Sequence, residues 1–458
     1  MNLNSRLRAA VLCAVAAAAV LVPAATAPAK TTPDQAYALG KEAFTYGFPL
    51  LEFNRVRSDD LRQMAPVNRL ANAQKLAEAG ADQVVAPNVD TLYTLGQFDL
   101  KKPLVLQVPK MGDRYWTFEF VDPWTNVVGY IGQRLDGGEG GTWVLQWDKA
   151  RAGKLPKGTK RFTSPARRLW VIGRTLVKGS SDLPAARDLM AQYRTGSVAA
   201  LRAGRLSPPL VEIPQRAKGG PPAGLAFINQ LNRQMAADPP PRRDAPILRR
   251  LARAGVGIGR SPYSLSAPAR AKLAQGVDDA YAALPGEARL PILQQAKAAG
   301  GWYIPPSNIG AFGTNYAFRA RVALVGLGAN TPIESVYPVA LTTPDGEMFN
   351  GSNRYRMVFE KGQLPPTRAF WSLTMYDSDG YLVKNDADIY AVGDSHPPLK
   401  ERSDGSVVVA IQKDRPADPD DNWLPAPQAG FRLNLRLYMP NEAILNNTWK
   451  PPGVVKVD

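Results

Sequence analysis

Histidine and cysteine are almost missing from this chain: it has one of each. A Cys-His dyad and a His/Cys zinc site need more of these residues than are present. A Ser-His-Asp triad would rest on His396 alone. That histidine lies in Asp394-Ser395-His396-Pro397-Pro398, a loop sequence with no evident partner. Any chemistry is therefore expected from carboxylate, guanidinium, phenol or a bound ion. There is also no internal repeat, no low-complexity tail and no apolar run of membrane-spanning length.

The longest apolar run is Ala9 to Val22. It follows Arg6 and Arg8, is broken by Pro23, and precedes Ala25-Thr26-Ala27. A basic start, a short apolar stretch and a small-x-small site are the marks of a secretory signal peptide cleaved near Ala27. A stable span needs about 20 apolar residues, so the protein is not expected to remain membrane-spanning. Cys13 lies inside the run, without the small-residue box of a lipoprotein. The mature chain, periplasmic or extracellular, would then have no cysteine. Its stability must come from a packed core, which 458 residues at 45% hydrophobic composition can build.

Thr32-Pro33-Asp34-Gln35 has Thr at N-cap, Pro at N1 and Gln at N3, a capping box that opens a helix. Tyr37, Lys41, Phe44 and Phe48 continue it until Gly47-Phe48-Pro49, which predicts its stop. A second helical piece is expected from about 68 to 79. Short strands with Gly and Pro punctuation follow at 104–108, 115–121 and 142–147. In the second of these, Tyr115, Thr117, Glu119 and Val121 share one face and Trp116, Phe118 and Phe120 the other.

From 182 to 300 the pattern is helical, with Ser266-Ala267-Pro268 starting one helix and Pro291 another. From Tyr337 it is β again. Asp377-Ser378-Asp379-Gly380 reads as a hairpin turn between strands 370–376 and 381–384. Phe431 to Met439 alternates, with leucines on one face and Arg432, Asn434, Arg436 and Tyr438 on the other. The fold expected is mainly β with a helical insert: two β-sandwich domains joined by an α-helical segment. The boundaries are 1–27 signal peptide, 28–83 helical, 84–180 β-sandwich, 181–335 helical insert and 336–458 β-sandwich.

Several words are specific enough to carry a resemblance. Pro87-Asn88-Val89-Asp90-Thr91-Leu92-Tyr93, Gly112-Asp113-Arg114-Tyr115 and Asp122-Pro123-Trp124-Thr125-Asn126-Val127 resemble domain of unknown function 1254. Gly351-Ser352-Asn353-Arg354-Tyr355, Phe370-Trp371-Ser372-Leu373-Thr374-Met375-Tyr376-Asp377 and Asn422-Trp423-Leu424-Pro425 resemble its companion, domain of unknown function 1214. The resemblance implies two β-sandwiches, the second jelly-roll-like. It implies no activity, since a fold does not name a function.

The candidate ligand-binding residues are Asn88, Asp90, Tyr93, Arg114, Asp122, Trp124, Asn126, Arg354, Tyr355, Trp371 and Asp377. Asn88 and Asp90 put polar groups at a strand start, where they otherwise cap turns. Trp124 beside a carboxylate and an amide offers a ring face and polar atoms to a sugar. Asp418, Asp420 and Asp421 are an oxygen-rich cluster that could hold calcium, the one cofactor considered. Gly255-Val256-Gly257-Ile258-Gly259 lacks dinucleotide spacing.

Net charge is +16, and residues 149–181 carry ten Lys/Arg with no Asp or Glu. Such a run is usually solvated, but it also suits an anionic envelope surface. Nucleic acid is not expected for an exported chain without a recognised stacking module. The reading is an exported protein that binds a small or polymeric ligand, of glycan or lipid class, between two β-sandwiches. The alternatives are an extracytoplasmic hydrolase or isomerase using carboxylate and Arg, and a structural cell-envelope protein.

Overall fold

Residue Thr32 starts the first element as the capping box requires. Its hydroxyl accepts from Gln35 N, Gln35 Oε1 accepts from Thr32 N in return, and the helix Pro33–Gln63 follows. The computed structural model describes residues 30–457, apart from 81–84, 212–218, 395 and 397–398. The expected signal peptide and Cys13 lie outside the described residues.

The first helix does not stop at Pro49. It runs through it to Gln63, because the turn around Pro49 is buried among helices that hold the chain in place. Its face packs on Gly224–Ala237, Ala267–Ala298 and Tyr316–Val325 around Phe44, Phe48, Phe227, Leu231 and Leu273. Residues 267–298 form one helix, not two, and Pro285 and Pro291 lie inside it. Helices and strands are present in comparable amounts, so the chain is sheet-rich without being mainly β.

The expected helix at 68–79 is absent. Leu70–Asn72 is a strand that pairs with Thr91–Asp99, since its Leu70 is needed in the sheet core. The N-terminal region has two sheets. A six-stranded sheet runs in the order Leu210–Val211, Leu70–Asn72, Thr91–Asp99, Arg168–Leu176, Trp116–Val121, Val127–Gly132. A four-stranded sheet has Thr159–Ser164, Gly141–Trp147, Leu104–Val108 and Arg194–Ser197. Leu92, Phe98, Leu104, Trp116, Phe118, Trp143 and Leu169 form one core shared by both.

The C-terminal region repeats this with another pair. The central strands Thr367–Asp377 and Phe431–Pro440 are antiparallel neighbours in one sheet. Arg354–Phe359 lies between Val407–Gln412 and Val454–Val457 in the other. Tyr355, Met357, Trp371, Leu373, Val409, Leu433 and Leu435 are the core between them. Residues 381–384 form no strand: Asp377 does turn the chain, but the Thr367–Asp377 strand pairs with Ala391–Gly393 and Phe431–Pro440 instead. No described helix is long and apolar enough to cross a membrane.

Candidate functional site

Strand alternation puts apolar side chains inside each sheet pair and leaves a second, polar face on both large sheets. On the N-terminal sheet that face carries Tyr93, Tyr115, Thr117, Glu119 and Arg174. On the C-terminal sheet it carries Ser372, Thr374, Tyr376, Arg436 and Tyr438. The two faces meet, and their side chains bond across the seam. Asn88 Nδ2 donates to Tyr438 Oη at 2.6 Å, and Tyr376 Oη donates to Pro87 O at 2.5 Å. Arg436 donates to Ala86 O, Thr374 Oγ1 and Tyr376 Oη. Tyr115 Oη donates to Glu334 Oε1 at 2.8 Å, and Arg134 holds the other oxygen at 2.7 Å.

At one end of the seam stands Asp90, with no exposed surface. Its Oδ2 accepts from Ser372 Oγ at 2.7 Å, and Asn88 Oδ1 accepts from its backbone N–H at 2.7 Å. Its Oδ1 lies 2.7 Å from Nε2 of His396, 306 residues away in sequence. Burial alone would raise the Asp90 pKa. The hydrogen bond and charge of His396, the charge of Arg436 and the Ser372 bond outweigh it and hold the carboxyl below its usual range. Burial would likewise lower the His396 pKa, but Asp90, and then the charge of Asp394, raise it.

His396 is thus no loop residue without partners. Its ring reaches the buried carboxylate, with the side chain 20% exposed. Sequence could not pair them, because the contact is made only when the two sheet pairs come together.

Farther along, Glu119 Oε2 pairs with Arg174 Nη1 at 2.7 Å. Arg174 also holds Gly328 O and Asn330 Oδ1, fixing the segment that leads into the C-terminal sheets. Burial pushes the Glu119 carboxyl up to about 7 despite that partner. Its Oε1 is buried without a hydrogen bond among the described residues.

The sequence candidates divide between this seam and elsewhere. Asn88 and Asp90 are in it, and the Tyr93 ring lies 5.8 Å from the Arg174 guanidinium. Arg114 is not in this set of bonds: it clamps Asp182 at 2.7 Å and the Leu176 carbonyl. Asp122 caps its own turn by accepting from Asn126 N at 2.8 Å and from Asn126 Nδ2. Trp124 is buried in the helical core, its ring 5.2 Å from the Arg319 guanidinium and 5.0 Å from Tyr46.

Arg354 is exposed at a strand start. Tyr355 and Trp371 are core residues of the C-terminal pair. Asp377 caps a turn through Gly380 N and Tyr381 N. Asp418 and Asp421 both accept from Arg402, at 2.6 and 2.5 Å, while Asp420 N–H donates to Asp418. A guanidinium thus stands among these carboxylates. No group of three His, Cys, Asp or Glu side chains suited to a metal converges among the described residues.

Sequence reading missed Ser372, Arg436, Tyr438 and Glu334 as site residues. A usable signal existed for two of them: Arg436 and Tyr438 stand on the polar face of a strand whose other face is all core. Two shallow depressions, of about 380 and 440 Å³, lie elsewhere, beside Lys41, Thr45 and Tyr316 and beside Gln107, Glu139 and Arg194.

Among solved structures, the chain is similar to the VPA0106 protein from Vibrio parahaemolyticus. Identity is 21% and the TM-score is 0.66, over 92% of this chain and 100% of that one. It is also similar to an uncharacterized protein from Burkholderia cenocepacia, at 12% identity and a TM-score of 0.41, over 93% and 94% of the two chains. No curated protein matches the sequence. The family model described as "Protein of unknown function (DUF1254)" matches residues 67–197, and "Protein of unknown function (DUF1214)" matches residues 334–442. The two segments span the faces that form the seam and together cover just over half of the chain, which therefore belongs to the family joining a DUF1254 to a DUF1214 domain.

Proposed function

We propose that this protein is an exported acid–base enzyme in which His396 moves the proton and Asp90 orients it. The paired sheets are read as two β-sandwiches, the second jelly-roll-like, with the substrate meeting the outer end of their seam. The observation that carries the reading is the contact of His396 Nε2 with the buried Asp90 Oδ1 at 2.7 Å. A free imidazole samples both tautomers. A buried carboxylate at Nε2 selects the Nε2–H tautomer and leaves the lone pair on Nδ1. Nδ1 makes no hydrogen bond among the described residues, so it is available to a substrate or a water.

Ser372 is fully buried and its hydroxyl is bonded to the carboxylate, not to the imidazole. It is placed to hold Asp90 and not to attack a substrate. This favours activation of water or removal of a substrate proton, which are hydrolysis or isomerisation, over an acyl-serine route. A ligand of glycan or lipid class remains the substrate proposal.

The test is turnover of a panel of ester, lactone and glycoside probes by the full mature chain. Wild type is expected to turn over at least one. His396→Gln should lower kcat by about 10²–10⁴-fold with a small change in melting temperature. Asp90→Asn should lower kcat and also move the pH profile. A plain strut between the sheet pairs predicts the reverse: stability lost, with no activity to lose. An inactive wild type, or full activity in His396→Gln, would sink the enzyme reading.

A further inference from the structure

We propose that the connection at residues 148–158 docks the protein on an anionic lipid surface. The ten cations of 149–181 are not one patch. Five are consumed internally. Arg167 binds Asp99, Arg168 binds Asp238, Arg174 binds Glu119, Lys178 binds Asp113 and Lys160 binds Asp136. Arg161 is spent as well, on Gln146 Oε1 at 2.6 Å and on the carbonyls of Ala152 and Gly153. Lys149, Arg151, Lys154 and Lys157 remain. All four are exposed, and none meets a carboxylate among the described residues.

These four are spread along the connection 148–158, which runs back beside the edge strand Thr159–Ser164 because that strand is parallel to Gly141–Trp147 in the four-stranded N-terminal sheet. The connection is pinned to the sheet near its middle. Arg161 holds its carbonyls, Ala152 N–H donates to Gln146 Oε1 at 2.9 Å, and Arg151 Nε donates to Asp148 O at 3.1 Å. A row of cations along a connection whose backbone is held to the sheet edge loses little backbone freedom on binding, which favours an extended array of anions. Lysines on an edge strand also block strand addition. That role accounts for Lys160, on the strand Thr159–Ser164, but not for the connection before it.

Between Lys154 and Lys157 lie Leu155 and Pro156, both half-buried, and Lys149 Nζ stands 5.5 Å from the half-buried ring of Trp147. A soluble polyanion gains nothing from these apolar groups. A bilayer gains from both parts: phosphates meet the cations, and the headgroup boundary accepts a leucine and an indole.

Co-sedimentation of the full mature chain with phosphatidylcholine vesicles, with and without phosphatidylglycerol, tests this. Binding is expected only with phosphatidylglycerol, and it should fall as salt is raised. The double variant Lys154→Glu/Lys157→Glu should bind at least about tenfold more weakly with its melting temperature kept. Leu155→Ser should weaken vesicle binding and leave binding to inorganic polyphosphate alone. Equal binding to phosphatidylcholine overturns the proposal. So does an unchanged double variant, or polyphosphate bound as well as vesicles with no effect of Leu155→Ser.

Discussion

The lone imidazole is the residue on which the seam turns. Because His396 is the only histidine, its ring gives a single set of NMR signals, and its titration can be followed without assignment. Asp90 and Asp394 both raise its pKa, so the measured value should lie above the ordinary 6.5 and should drop in Asp90→Asn. A value at or below 6.5 in wild type would mean the contact does not form in solution. At the same scale, Tyr355 shows how a candidate fails. Its ring is core, and its hydroxyl serves the turn at Asn350, where it accepts from the backbone N–H at 3.0 Å and faces the carbonyl at 3.2 Å. Tyr355→Phe should cost about 1 kcal/mol in denaturant unfolding and leave any activity intact.

Among the elements, alternation was legible and pairing was not. Trp116, Phe118 and Phe120 do face the N-terminal core, and Tyr115, Thr117 and Glu119 face the other way. The strand Phe431–Pro440 splits in the same manner. A period of two follows from strand geometry, so it survives folding. Helix ends were harder. Pro49 and Pro291 predict boundaries that the structure does not have: Pro49 is buried among neighbouring helices, whereas Pro291, like Pro285, is exposed within one continuous helix. The long helices touch through Gly40 and Gly276: a Cβ on Gly40 would stand 2.3 Å from Leu273 O, and one on Gly276 2.2 Å from Tyr37 O. Gly276→Ala should therefore lower stability by about 1–3 kcal/mol, although alanine is the better helix former. Equal or higher stability would show that the helices separate more easily than this packing allows.

Across the whole molecule, the seam couples stability to pH in two opposing ways. The His396–Asp90 pair contributes fully between the ordinary values of 3.8 and 6.5. Its contribution fades as pH rises through the raised histidine value and as it falls through the lowered aspartate value. Glu119 acts differently. Its raised pKa means the folded chain holds that proton more tightly than the unfolded chain does. Stability from this group therefore falls as pH rises from about 4.5 to about 7. Unfolding midpoints across this range should show that slope in wild type and lose it in Glu119→Gln. A slope that persists in the variant would assign it to other groups.

Sequence by itself determined the capped start of the first helix, the two alternating faces of the strands at 115–121 and 431–439, and the two family segments. These depend on local spacing, which a chain carries with it before it folds. Sequence also marked Asn88 and Asp90, because a polar pair at a strand start is a local pattern. Only the tertiary structure decided what these residues do. Asp90 meets His396 and Ser372, and Asn88 meets Tyr438, across gaps of hundreds of residues. Those contacts exist because two polar sheet faces close on each other, and each buried polar group then needs a partner from the opposite sheet. The same closure turned one of the two scarcest side chains in the composition into the centre of the proposed site.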